Sequence, residues 1–141
     1  MSGEVERAAA VAADGATAGA AGPESLRPAD RLRRRPHFLR CYRQGRRRSG
    51  AFILLYSFSG NETGRPRMGV TVSRKVGKAV VRNRVKRRLR EIFRRWPGRQ
   101  DLRGVDIVLH ARPEAARASF AELSTDVGRL LGGLAASGRR P

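Results

Sequence analysis

Several residue types are nearly missing from this chain, and each shortage excludes a class of function. It has one cysteine, Cys41, so no disulfide can form within it. Only two histidines, His37 and His110, stand beside that cysteine, too few for a structural zinc site. No apolar run approaches the length needed to span a bilayer, and the N-terminus lacks the basic start and long apolar stretch of a secretory signal. A reducing cytoplasm is the expected compartment. Acids are the scarcest group where it matters. None occurs from Arg31 to Asn61, and Glu91 is the only one between Arg65 and Gln100. Clustered carboxylates of the kind that hold two catalytic metal ions are therefore not recognisable, and no metal site is expected.

Positive charge is abundant. Lys and Arg number 31 against 12 Asp and Glu, a net charge of +19 in 141 residues. A small domain so charged repels itself and calls for an anionic partner. Nucleic acid is the leading candidate and an anionic membrane surface the second. Lysine occurs only at positions 75, 78 and 86, so the charge is chiefly arginine, whose planar fork of donors matches phosphate and stacks on bases.

The charge is most organised in VSRKVGKAVVRNRVKRRLRE, Val72 to Glu91. Val81, Val85, Leu89, Ile92 and Trp96 fall within a stripe of about 80° at roughly 100° per residue, while Asn83, Lys86, Arg87, Arg90 and Arg94 lie opposite. A face kept only for solubility would interleave acids for i,i+4 pairs; this one does not. It predicts a helix from about Lys78 to Trp96, glued to a core on one side and presenting guanidinium groups on the other.

Elsewhere the punctuation is legible. Met1 to about Ala29 is rich in Ala and Gly and reads as a disordered extension. Pro36 to Gln44 has an apolar side at Phe38, Leu39, Cys41 and Tyr42 and reads as a short helix stopped by Gly45. Arg46 to Arg48 read as a basic link. Ala51–Phe58, Arg67–Ser73 and Val105–Ala111 read as strands. Pro113 opens an expected last helix with a seam at Ala116, Phe120, Leu123, Val127, Leu130 and Leu134, fraying at Gly132-Gly133. The expected order is helix, strand, strand, helix, strand, helix: one α+β domain over residues 30–134, with a flexible tail over 135–141. The last two helices would cover one sheet face and leave the rest open as an RNA platform.

The block GVTVSRKVGKAVVRNRVKRRLRE, Gly69 to Glu91, resembles the signature of the bacterial ribonuclease P protein subunit, centred on Arg82-Asn83-Arg84. RRRPHFLRCYRQG resembles that family's first helix, with aromatics at Phe38 and Tyr42. FILLYS resembles its first strand, ending at Tyr56, and VDIVLHARP its later strand. Two features depart from the pattern: His37 stands after Pro36 where an acid or polar residue is usual, and the N-terminal extension is long. The resemblance implies an α/β sandwich with one mixed sheet and a left-handed βαβ crossover, against the usual hand. It implies a subunit of an endoribonuclease that removes the 5′ leader of precursor tRNA by Mg²⁺-assisted hydrolysis. The chemistry and most of the Mg²⁺ would belong to a catalytic RNA bound one to one, with no catalytic residue on the protein.

Under that resemblance Arg74, Lys75, Lys78, Arg82, Asn83, Arg84, Lys86, Arg87 and Arg90 would meet the catalytic RNA. Arginine offers bidentate phosphate contacts, and Asn83 both donates and accepts. The backbone around Gly77 and the helix N-terminus would add N–H donors. Phe38, Tyr42 and Tyr56 would line a cleft for the leader, where bases stack on rings; core packing is the alternative for each. Phe52 and Phe58 belong to the core. Two other classes stay open: a general RNA- or nucleic-acid-binding protein of ribosomal or nucleoid type, and a self-sufficient ribonuclease pairing His37 with His110 as acid and base.

Overall fold

The computed structural model describes residues 26–138. Its regular elements are α1 (Arg35–Gln44), β1 (Arg46–Ser49), β2 (Ile53–Ser59), β3 (Arg67–Thr71), α2 (Ala79–Arg95), β4 (Val105–Ala111) and α3 (Phe120–Gly138). Short 3-10 turns occupy Pro28–Asp30, Arg99–Asp101 and Pro113–Ala116. The expected extension lies outside the described residues up to position 25. From there the chain is already part of the fold, because Leu26 is buried in the core.

The four strands form one mixed sheet in the order β1-β2-β4-β3. β1–β2 and β2–β4 are antiparallel, and β3–β4 is parallel. The parallel pair is joined through α2, since parallel neighbours need a crossover. Alternation along the strands sends Ile53 and Leu55, Ile107 and Leu109, Met68 and Val70 to one face. There they pack with Val85, Leu89, Ile92 and Phe93 of α2 and with Leu123, Val127, Leu130 and Leu131 of α3. The second face carries Tyr56, Phe58, Val108 and Gly69. Here the structure differs from the open platform expected: α1 lies on part of this face and seats Phe38 and Cys41 against Leu32 and Val108.

Two further differences have local causes. The 46–49 segment is a strand, not a link; it has no apolar alternation to announce it, because as an edge strand it buries almost nothing. The segment from Pro113 is not continuous with the last helix. It makes one 3-10 turn, and α3 starts afresh after Ser119. The Ser119 hydroxyl accepts from the Glu122 N–H at 3.1 Å, and the Glu122 carboxylate accepts from the Ser119 N–H at 2.9 Å, a reciprocal capping box. Phe120 is consequently exposed rather than seamed. At the other end α3 continues through Gly132-Gly133 to Gly138 with Ala135 buried, so the expected tail begins later than 135.

Candidate nucleic-acid interface

α2 forms as its pattern dictates. Val85, Leu89, Ile92 and Phe93 are buried, and Lys78 precedes the helix at its N-cap position without a side-chain cap hydrogen bond, which leaves first-turn N–H groups for other acceptors. Asn83 and Arg87 are exposed; Lys86 and Arg90 are half-buried on the same outward side. Arg74, Lys75 and Lys78 are exposed in the loop that leads from β3 into α2.

The Arg82-Asn83-Arg84 triplet does not point one way. At about 100° per residue its arginines straddle the apolar stripe while Asn83 projects outward. Both arginines are half-buried, each with an Nε that has no hydrogen-bond partner. Arg84 donates from Nη2 to the carbonyl of Ala116 at 3.0 Å, and Arg88, one turn on, donates to the carbonyl of Ala118 at 3.3 Å. These two clasp the turn that precedes α3, so part of Arg84's fork is committed to the fold.

The outward cations act on one another. Burial first, then the Arg90 and Arg82 charges, hold the Lys86 ammonium below its usual range. Burial first, then Arg31, do the same to Arg90. The charges acting on both groups are all cationic, a local excess that an anion would relieve. Arg31 and Arg90 meet over Leu32, Phe38 and Gly69, which brings the basic face of α2 to the side of α1.

Across β3 from that meeting point lies an aromatic cluster. The Tyr42 and Tyr56 ring centroids are 4.6 Å apart with a 58° tilt. His110 stands edge-on to Tyr42 at 6.0 Å and to Tyr56 at 6.3 Å. The Tyr42 hydroxyl is 2.9 Å from Thr71 Oγ1, to which it donates, and 2.9 Å from His110 Nδ1. Tyr42 and Tyr56 remain half-buried. Phe38 does not join them: its side chain is 0% exposed, so it offers no ring face to a base and forms the floor beneath α1. Phe52 and Phe58 pack against the two clusters as expected, and the Arg40 guanidinium lies 4.2 Å from the Phe58 ring centroid. His110 is the member that sequence reasoning missed. Its register opposite Leu54, two residues from the Tyr56–Val108 pair, puts it on the Tyr56 face.

The two histidines do not form an acid–base pair. His37 Nε2 sits 3.3 Å from Glu62, whereas His110 faces Tyr42. Burial, followed by the Arg67 charge, lowers the His37 pKa and favours the neutral ring. Beneath it lies a second polar group the sequence did not announce. Asp106, 0% exposed, accepts from Arg67 Nε and Nη2 at 2.8 and 2.9 Å, from Arg40 at 2.8 Å and from Asn61 at 2.8 Å. Such a saturated carboxylate fixes α1 to the sheet. Among the described residues no three His, Cys, Asp or Glu side chains are placed to hold a metal ion, and no helix is long and apolar enough to cross a membrane.

Comparison with known proteins agrees with this geometry. The family model described as Ribonuclease P matches residues 26–135. The ribonuclease P protein component of Acidothermus cellulolyticus is 46% identical over 109 residues, covering 74% of this chain and 87% of that protein. That of Gluconacetobacter diazotrophicus is 40% identical over 103 residues, covering 73% and 89%. Among solved structures, the RNase P protein from Thermotoga maritima superposes with a TM-score of 0.63 at 35% identity, covering 72% of this chain and 94% of that one. An RNase P protein of Staphylococcus aureus gives 0.66 at 27% identity, covering 73% and 93%. With its basic α2 face, its half-open aromatic cluster and this match over nearly all the described residues, the chain belongs to the ribonuclease P protein family.

Proposed function

We propose that this chain is the protein subunit of ribonuclease P, the endoribonuclease that matures the 5′ end of tRNA, and that it works by binding RNA. In this reading α2 and the loop before it bind the catalytic RNA through Arg74, Lys75, Lys78, Arg82, Asn83, Lys86, Arg87 and Arg90, with Arg84 contributing only what its tie to Ala116 leaves. Tyr42 and Tyr56 receive bases of the precursor's 5′ leader, with His110 beside them. The observation that carries the reading is the junction at Arg31 and Arg90, where the cationic face of α2 runs up to the helix that holds Tyr42. One protein can thereby touch two RNAs at once.

The reading leaves Mg²⁺ to the RNA partner, bound to one protein in a cytoplasmic particle. The protein contributes position and charge: arginines neutralise phosphates that would otherwise repel, and stacking holds the leader in register.

The test is cleavage of a precursor tRNA at low Mg²⁺ by the protein alone, by its cognate catalytic RNA alone, and by both. Cleavage at the mature 5′ end only in the mixture is expected. Cleavage by the protein alone would overturn the division of labour, and no stimulation would leave a general RNA-binding module.

A further inference from the structure

The edge of the sheet farthest from α2 holds a cavity that neither the basic face of α2 nor the tyrosine cluster occupies. It has a volume of about 490 Å³ and lies between β1, the Arg99–Asp101 turn and the end of α3. That size falls in the range of single-ligand sites, roughly 300–1,000 Å³. Alternation along β1 sends Arg46 and Arg48 to this side, while Arg47 shares the Tyr56 face. Arg103 enters from the turn opposite.

The three arginines are not equivalent. Arg48 is half-buried and hydrogen-bonded to the Ser137 hydroxyl, close against Gly133, so it is built into the wall. Arg46 and Arg103 are exposed and, among the described residues, form no ion pair. Among the described residues Asp101 is the one carboxylate of the lining, against Arg46, Arg48 and Arg103, an excess of two positive charges. Leu102 and Leu134 give the inner wall an apolar surface. An apolar wall beneath a rim of guanidinium groups matches a nucleotide unit: the base or ribose lies inward and the phosphate meets the rim.

In the order β1-β2-β4-β3 the strand that carries Arg46 lies three strand spacings, roughly 14 Å, from β3, which borders α2, and no lining residue of the cavity belongs to α2 or to the loop before it. The cavity is therefore distinct from the α2 face. We propose that the Arg46–Arg103 cavity is a second phosphate-binding site for RNA, gripping a segment other than the one held by α2. This rests on the reading that RNA is the partner.

The test uses the full-length chain with its catalytic RNA and measures affinity across salt from about 50 to about 200 mM, where the log–log slope falls by about one unit for each phosphate that is no longer neutralised. Arg46→Gln/Arg103→Gln is expected to lower the slope by about two units at unchanged melting temperature. Arg27→Gln/Arg117→Gln removes the same charge from exposed positions elsewhere and is expected to lower it by less than one unit. Equal slopes for both double variants would overturn the site and reduce the effect to net charge. A wild-type slope in the Arg46/Arg103 variant, with adenosine 5′-monophosphate shifting the Ser57 and Ser59 amide resonances of the free protein, would overturn the RNA assignment in favour of a free nucleotide. Failure of the wild type to bind RNA would overturn both this proposal and its parent, and only that outcome touches the parent.

Discussion

Gly69 has no room for a methyl group. A Cβ there would stand 2.3 Å from Phe38 Cζ, and Phe38 in turn is sealed among Leu32, Cys41 and Val108. Truncating Phe38 to alanine should therefore cost about 3–5 kcal/mol of stability through the cavity it leaves, seen as a large drop in melting temperature. If instead Phe38 were a stacking residue, its removal would weaken leader binding with little change in stability. Tyr42 and Tyr56 should behave the other way. Tyr56→Ala should lower affinity for leader-bearing precursor by about 1–3 kcal/mol, the usual worth of one stacked base, and leave leaderless tRNA unchanged; an equal effect on both substrates would mark core damage. Aromatic spacing could not separate these roles, since Phe38 and Tyr42 lie on one side of α1 and only the depth of packing tells floor from wall. Cys41 makes the burial measurable. Desolvation first, then the Asp106 carboxylate, push its thiol up to about 12. A raised pKa means the buried thiol adds stability that is fully present below the ordinary thiol range and is lost as pH climbs towards 12. Iodoacetamide at pH 8 should leave native Cys41 unmodified and alkylate it once the chain is denatured.

Among the elements, the β1–β2 hairpin depends on a residue far away in sequence. Asp126 of α3 accepts hydrogen bonds from the backbone N–H groups of Ala51 and Phe52 at 2.9 Å and of Ile53 at 3.1 Å. Gly50 leaves the space: a Cβ there would lie 2.5 Å from the Asp126 carboxylate. Asp126→Ala would strand three donors, one of them buried, and should destabilise the fold by about 2–4 kcal/mol. A melting temperature within a degree of wild type would show that water replaces the carboxylate at no cost. This latch explains why β1 was unreadable. Nothing in Arg46–Ser49 favours a strand; a turn held from α3 brings it alongside β2, and the arginines keep that edge from pairing further. The start of α3, in contrast, was written in the sequence. Ser119 and Glu122 have capping-box spacing, but the seam from Ala116 to Phe120 suggested continuity, and Pro113 drew the boundary too early. The bounds of α2 and β4 were legible because each carries its own period: one apolar stripe at helical spacing, and one alternating run.

For the molecule as a whole, the family was legible from a composite pattern over four segments, whereas the Asp106 hub and the Arg46–Arg103 cavity were not, because both assemble from residues distant in sequence. The same long-range pairing governs the charge. The described acids are largely engaged: Asp106 with Arg40 and Arg67, Asp30 with Arg65, Glu91 with Arg94 and Arg95, Asp126 with Arg129. Most of the net charge of +19 is thus left to repel itself. At about 10 mM salt the screening length is about 30 Å, longer than a radius of gyration of about 13 Å for a domain of this size, so the cations feel one another across the fold; at 150 mM it is about 8 Å, and they do not. Folding and RNA binding should therefore respond to salt in opposite senses. Raising NaCl from about 10 to about 150 mM should increase the melting temperature of the free protein by several degrees, as self-repulsion is screened. Over the same range RNA affinity should fall steeply, as counterion release loses its advantage. Thermal melts and equilibrium binding on one preparation check both halves. A melting temperature that falls with salt would mean that the ion pairs around Asp106 and Glu91 outweigh the repulsion, and the excess charge would then be a tolerated burden on the fold rather than the dominant one.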